Sequence, residues 1–129
     1  MKIVVSSVQG GLDSQVDPRF GRCQYFIIVD PETMEFKAVQ NTAIASMHGT
    51  GIQAAQFIRN EGATAVITGN VGPNAFQALS AAGVKVITGV SGTVREAVER
   101  YKRGELNETG APTVGGDFGV GGRRGQRWR

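Results

Sequence analysis

The chain has 129 residues, 40% of them apolar, a formal charge of +3 and a single cysteine. That length supports one hydrophobic core without disulfide or metal staples, and the lack of any run of about eighteen apolar residues excludes a membrane-spanning helix. One cysteine forms no internal disulfide, and Met1-Lys2-Ile3-Val4-Val5 enters a strand at once, leaving no room for a signal peptide, so the expected compartment is a reducing cytoplasm. The positive charge is unevenly spread: residues 1–106 carry ten Lys/Arg against nine Asp/Glu, and residues 107–129 carry four against two. The basicity is therefore largely a tail property, which argues against a nucleic-acid-binding face on the domain itself.

In chain order, Ile3-Val4-Val5 with Ser6-Ser7 reads as a strand over 2–7, and Val8 to Cys23 as a loop broken by Gly10-Gly11 and Asp17-Pro18. Tyr25 to Val29 is aromatic and β-branched throughout, the pattern of a strand buried on both faces. A turn at 30–33 leads into the alternating Glu35–Gln40, a half-buried strand that closes a hairpin. After loop 41–51 the period becomes helical: Ile52, Ala55 and Ile58, with Ala54 and Phe57, form an apolar face that ends near Gly62. Ala65-Val66-Ile67-Thr68 is a buried strand. The turn 69–74 opens a second helix with Pro73 in its first turn, Phe76 and Leu79 inward, and Gly83 as a left-handed cap. Val84–Thr88 is the last strand. Thr93 and Glu96 fit a capping box, and Val94, Ala97, Val98 and Tyr101 give the buried face of a third helix that stops by Gly104. Residues 107–129 hold seven glycines and four arginines without apolar periodicity, and read as a disordered Gly/Arg-rich tail.

The order β-β-β-α-β-α-β-α predicts an α/β fold, a single three-layer domain over residues 1–106. Its five-stranded mixed sheet has the expected order 3-2-1-4-5 with strand 2 antiparallel, because crossovers are right-handed. Loops 6–24, 41–51, 69–74 and 89–93 then converge at one edge of the sheet, where open α/β folds bind ligands. Arg19 and Cys23 come from the first loop, and Met47 with the only histidine, His48, from the second. Gly49, Gly51, Gly69, Gly72, Gly89 and Gly92 flank three helix N-termini, whose free N–H groups and dipoles favour an anion. Such a pocket suits an anionic metal cluster or a phosphate.

At Asp17-Pro18-Arg19-Phe20-Gly21-Arg22-Cys23-Gln24-Tyr25-Phe26 the chain resembles the dinitrogenase iron–molybdenum cofactor biosynthesis family, which includes small cofactor carriers and the C-terminal domain of the cofactor-assembly enzyme. The likeness continues through His48-Gly49-Thr50-Gly51-Ile52, through Ile67–Ala75 and through Glu96–Tyr101, and spans about residues 1–106. The resemblance implies a ribonuclease H-like fold and the binding, carrying or sensing of an iron–sulfur or iron–molybdenum-type cluster rather than catalysis. It implies cofactor-assembly proteins as partners and no membrane. The site expected at the loop edge comprises Arg19, Phe20, Gly21, Cys23, Met47, His48, Gly49, Gly51, Asn70 and Gly72, with Cys23 and His48 as candidate metal ligands. Nitrogenase-associated members commonly carry histidine before Phe-Gly where this chain has Arg19, and an arginine pairs with an anion rather than ligating iron.

Each signal also has a plainer reading. Cys23 beside a buried strand suits a core filler as well as a thiolate favoured by Arg19 and Arg22. Residues 69–73 lack P-loop spacing and no Lys-Ser or Lys-Thr follows, which argues against nucleotide triphosphate hydrolysis. A two-metal nuclease needs several carboxylates, and the first strand has none; no Ser/His/Asp or Cys/His arrangement is recognisable, so no enzyme activity is expected. The alternative is an interaction module that binds a phosphate-bearing ligand at the loop edge, or nucleic acid through its tail.

Overall fold

The computed structural model describes residues 1–45 and 49–113. Five strands form one sheet: β1 (Ile3–Ser7), β2 (Tyr25–Val29), β3 (Phe36–Gln40), β4 (Ala65–Ile67) and β5 (Lys85–Ile87), in the order β3-β2-β1-β4-β5. β2 is antiparallel to β1 and β3, while β4 and β5 run parallel to β1. Both the order and the reversed strand are those expected from the sequence, and the arrangement is the ribonuclease H-like one. A 3-10 turn, Thr42–Ala45, lies in the stretch expected to be loop.

The helices are α1 (Thr50–Asn60), α2 (Pro73–Ala81) and α3 (Val94–Lys102). Strand alternation sorts the core into two layers. Val4, Phe26, Ile28, Val66 and Val86 face α1 and α2, meeting Ala54, Ala55, Ile58, Ala75 and Leu79. Ile3, Val5, Ile27, Val29, Ala65, Ile67 and Ile87 face the other way, towards Val94, Ala97 and Val98 of α3. Gly83 takes φ 78°, the left-handed backbone expected of it, and releases the chain into β5.

β3 departs from the expected half-buried pattern. Phe36 is 43% exposed and Ala38 is exposed too, because β3 is the edge strand and α3 covers only the interior of that face. The chain also stays on the domain beyond residue 106. Thr109 N–H donates to the Val86 carbonyl at 2.6 Å, and Thr88 N–H donates to Thr109 Oγ1 at 3.0 Å. Thr113 N–H then donates to the Val71 carbonyl at 2.9 Å, and Val71 N–H donates back to Thr113 Oγ1 at 2.8 Å. Residues 107–113, assigned to the tail on composition, thus hydrogen-bond to the C-terminal edge of the sheet; the rest of the expected tail, 114–129, lies outside the described residues.

Candidate functional site

The long loop after β1 is held down by polar groups at the strand ends. Asp17 N–H donates to the Ser6 carbonyl at 2.9 Å, and Ser6 Oγ donates to the Asp17 carbonyl at 2.7 Å while lying 2.8 Å from Thr68 Oγ1. Asp17 is buried, and its Oδ1 accepts from Arg19 N–H at 2.9 Å, an Asx turn that starts the chain towards the cleft. Arg19 Nε lies 3.4 Å from the same oxygen, while its side chain is 62% exposed. Asp17 Oδ2 is buried with no hydrogen-bond partner among the described residues. A two-way bridge then joins this loop to the turn after β4: Asn70 N–H donates to the Pro18 carbonyl at 2.8 Å and Phe20 N–H to the Asn70 carbonyl at 3.3 Å. Asn41, 3% exposed, closes the far end by donating from Nδ2 to the carbonyls of Gly21 at 3.1 Å and Cys23 at 2.9 Å.

These pins define a cleft of about 600 Å³ at the C-terminal edge of the sheet. Its walls are Pro18–Arg22, the N-cap and first turn of α1 (Gly49–Ile52), and Asn70 with the N-cap and first turn of α2 (Gly72–Ala75). The walls approach closely because they are built from glycine. A Cβ on Gly21 would sit 3.0 Å from Gly51 N, and one on Gly51 would sit 3.0 Å from Ala75 Cβ. Gly49, at φ 70°, turns the chain into α1 with a left-handed backbone that other residues adopt at a cost.

The charged side chains among the described lining residues are of one sign, with the buried Asp17 carboxylate lying behind the wall, 3.4 Å from Arg19 Nε. Neither α1 nor α2 has a side-chain N-cap hydrogen bond or an acidic residue in its first turn. Their N-terminal N–H groups lack intrahelical partners, and two positive dipole ends therefore meet at one place. Among the described residues that line it, Arg19 and Arg22 are the charged ones, and no carboxylate joins them. Oriented amides, two guanidinium groups and an apolar lip that includes Ile52, 39% exposed, are the groups this cleft offers, a set whose chemistry suits an anion with an apolar or soft surface.

Seven of the expected site residues lie on this cleft: Arg19, Phe20, Gly21, Gly49, Gly51, Asn70 and Gly72. Met47 and His48 lie outside the described residues. Cys23 does not reach the cleft. It is 0% exposed, shares the core with Phe20 and Phe26, and has Asn41 Nδ2 3.9 Å from its sulfur. Burial, with the Asp17 charge as a second cause, pushes its thiol from 9.0 to about 12. A neutral buried thiol presents no ligand atom, so the metal-ligand role expected of Cys23 is not supported by its placement. Among the described residues there is no group of three or more His, Cys, Asp or Glu able to hold a metal ion.

Loop 89–93 was expected at the same pocket but turns to the other layer. Val16 N–H donates to the Gly92 carbonyl at 2.8 Å, Gln15 bridges to Thr93, and the N-terminus of α3 is closed by the Thr93–Glu96 capping box. Two helix N-termini, not three, therefore open into the cleft. The lining residues that were not expected at the site are Pro18, Arg22, Thr50, Ile52, Pro73, Asn74 and Ala75. Ile52 read as core because it continues the apolar period of α1, but that helix's first turn projects beyond the sheet edge.

The Cys23 thiol makes a prediction of its own. Iodoacetamide at pH 8 should modify it slowly in the native protein and rapidly after unfolding. Because the folded thiol holds its proton well above 9.0, its contribution to stability is complete below pH 9 and is lost as pH rises towards 12. The stability difference between wild type and Cys23→Ala should fall with pH in that window, by at most about 1.4 kcal/mol per pH unit. A flat difference would place the thiol in contact with solvent.

Residues 1–104 match the dinitrogenase iron-molybdenum cofactor family. The apo form of the orange protein from Desulfovibrio gigas is 45% identical, with a TM-score of 0.84 over 87% of this chain and 95% of that one. A Thermotoga protein of the DUF35 family is 44% identical, with a TM-score of 0.72 over 83% of this chain and 91% of that one. An uncharacterised protein of Methanocaldococcus jannaschii is 33% identical over 99 residues, covering 74% of this chain and 84% of the relative.

Proposed function

The chain belongs to the dinitrogenase iron-molybdenum cofactor family, and from that premise we propose that it carries an anionic metal–sulfur cluster as cargo in the cleft between Pro18–Arg22, α1 and α2. The observation that supports this most is the convergence of two helix N-termini without side-chain caps and two arginines on a lining without carboxylates among its described residues. The similarity to the orange protein, whose structure is that of an apo form, supports the same reading.

The chemistry of the lining fits outer-sphere holding. Arginine and backbone N–H groups donate hydrogen bonds to the sulfides and the net negative charge of a cluster, and leave its metals ligated by its own sulfur. Such a grip is reversible, as suits a carrier that must hand its cargo to an assembly partner. Among the described residues, the lining also holds no carboxylate or thiol to act as base or nucleophile, which favours a carrier over an enzyme. His48 immediately precedes Gly49 in the chain, and we assign to it any direct ligation that occurs.

Anaerobic reconstitution with ferrous iron and sulfide, followed by visible absorption and metal analysis, tests the reading. Wild type and Cys23→Ala should take up equal amounts of cluster, and His48→Ala should take up less without losing uptake altogether. Abolition of uptake by Cys23→Ala, with the fold intact by circular dichroism, would return the thiol to the site. If inorganic phosphate at millimolar concentration displaces the bound cluster completely, the cleft is a phosphate site instead.

A further inference from the structure

The turn that carries the α2 wall of the cleft is held from two sides. Both backbone groups of Asn70 are taken by the loop after β1: its N–H donates to the Pro18 carbonyl and its carbonyl accepts from Phe20 N–H. Both backbone groups of the next residue, Val71, are taken by Thr113. Thr113 N–H donates to the Val71 carbonyl at 2.9 Å, Thr113 Oγ1 accepts from Val71 N–H at 2.8 Å, and the same hydroxyl lies 3.3 Å from the Val71 carbonyl. Gly72 follows; it is the N-cap of α2 and lines the cleft together with Asn70. Thr113 itself lies beyond the stretch 1–104 that matches the family. We infer that Thr113 is a positioning residue for the cleft: it fixes the Asn70–Gly72 turn, and with it the aim of the α2 N-terminus at a bound anion. The inference rests on the anion-binding reading of the cleft.

The segment that presents Thr113 is itself fastened to the outer edge of the sheet. Lys85 N–H donates to the Thr64 carbonyl and the Ile87 carbonyl accepts from Thr68 N–H, so these residues of β5 bond towards β4. Val86 and Thr88, alternating with them, turn their backbone groups outward. Thr109 takes both: its N–H donates to the Val86 carbonyl, its Oγ1 accepts from Thr88 N–H, and the two threonine hydroxyls lie 2.6 Å apart. Leu106 packs against the α3 layer before them. The chain is thus pinned at Leu106 and Thr109 before it reaches Val71, and Thr113 acts from a fixed base. Val71 is 1% exposed, and buried backbone groups without partners are costly, so the turn keeps its place only while Thr113 satisfies it. The amides of Asn74 and Ala75, both in the cleft lining, have no intrahelical acceptor. Hydrogen bonds from them to an anion depend on angle, so rotation of the turn that leads into α2 weakens the grip.

The test uses full-length protein and tetrathiomolybdate, a dianion of molybdenum and sulfide, with binding read by anaerobic equilibrium dialysis and molybdenum analysis. It compares wild type with Thr113→Val, which keeps the shape and loses the hydroxyl, and with Thr113→Ser, which keeps the hydroxyl, at a temperature where circular dichroism shows all three folded. The valine variant should bind about fivefold more weakly, the fold-change of roughly one neutral hydrogen bond, and the serine variant should bind as wild type does. Coupling between two sites is reciprocal, so saturating probe should also slow hydrogen exchange of the Val71 amide in wild type, a reading that needs no variant. Equal affinity of wild type and Thr113→Val would overturn the inference while leaving the cleft as the binding site. Equal losses in the valine and serine variants would remove the hydroxyl from the account and overturn it too, as would a Val71 amide that exchanges at one rate with and without bound probe. Failure of wild type to bind the probe would overturn the anion-binding reading, and this inference with it.

Discussion

Replacing Gly69 with alanine is expected to destabilise the domain by about 3 kcal/mol. A Cβ at this position would lie 2.6 Å from Pro18 Cα, 2.9 Å from Pro18 Cβ and 3.0 Å from the Pro18 carbonyl oxygen. Backbone cannot give way as the end of a flexible side chain can. The turn after β4 must therefore move away from the loop, and this opens the hydrogen bond from Asn70 N–H to the Pro18 carbonyl and the one from Phe20 N–H to the Asn70 carbonyl. Overpacking of a tight contact costs about 1–3 kcal/mol, and each hydrogen bond contributes about 0.5–1.5 kcal/mol. The urea midpoint should fall accordingly, and ligand uptake should fall with it, because the same contact holds two cleft walls together. Gly110→Ala is the control: its added Cβ meets nothing within 4 Å, and its midpoint should stay where it was. Wild-type stability in Gly69→Ala would mean that the two loops do not touch.

The largest effect on binding should come from Arg19→Glu with Arg22→Glu. Both side chains are exposed at the cleft, and Arg19 is the better placed because Asp17 Oδ1 accepts from its backbone N–H and lies near its Nε. A hydrogen bond to a charged group contributes about 1.5–3 kcal/mol, a factor of roughly 10–100. Losing two such contacts and placing two negative charges beside the anion should weaken tetrathiomolybdate binding by at least about a hundredfold. The dependence of affinity on salt concentration should flatten in the same variant. Thermal stability should fall modestly, because Arg19→Glu replaces the cation beside the buried Asp17 carboxylate with a like charge, while the exposed Arg22 contributes little to folding. Arg19→Lys with Arg22→Lys keeps the charge but loses the planar fork, so an intermediate loss is expected. Unaltered affinity in the glutamate variant would remove electrostatics from the account of the site.

The sequence carried the architecture because its signals were local and consistent. Hairpin alternation, glycine stops and the Thr93–Glu96 box each marked an element, and right-handed crossovers left few ways to order the strands. The same handedness, followed one step further, would have located the helices. Two crossovers moving in one direction along the sheet, from β3 to β4 and from β4 to β5, put α1 and α2 on one face. α3, following the last strand, returns across the other. That is why the N-terminal turns of α1 and α2 stand side by side at the cleft while the third is capped elsewhere. The part played by Asp17 was half legible: its turn was evident from Asp-Pro, but its burial beneath Arg19 was not.

By itself, the sequence determined the strand order, the reversed β2, the edge where the loops gather and the residues Arg19, Gly21, Gly49, Gly51, Asn70 and Gly72 that reach it. Only the tertiary structure decided the fate of Cys23. Strand alternation carried back from β2 would have set position 23 with Ile27 and Val29, on the α3 side, and the polar neighbours Arg19 and Arg22 suggested a side chain facing a ligand. The chain bends at 24, between Cys23 and the start of β2, which breaks that alternation, and Asn41 holds the carbonyls of Gly21 and Cys23 from the next loop. The thiol thereby enters the layer of Phe20, Phe26 and α1. Whether a side chain at the mouth of a strand faces a ligand or the core depends on the packing of elements distant in sequence, and no local pattern encodes it.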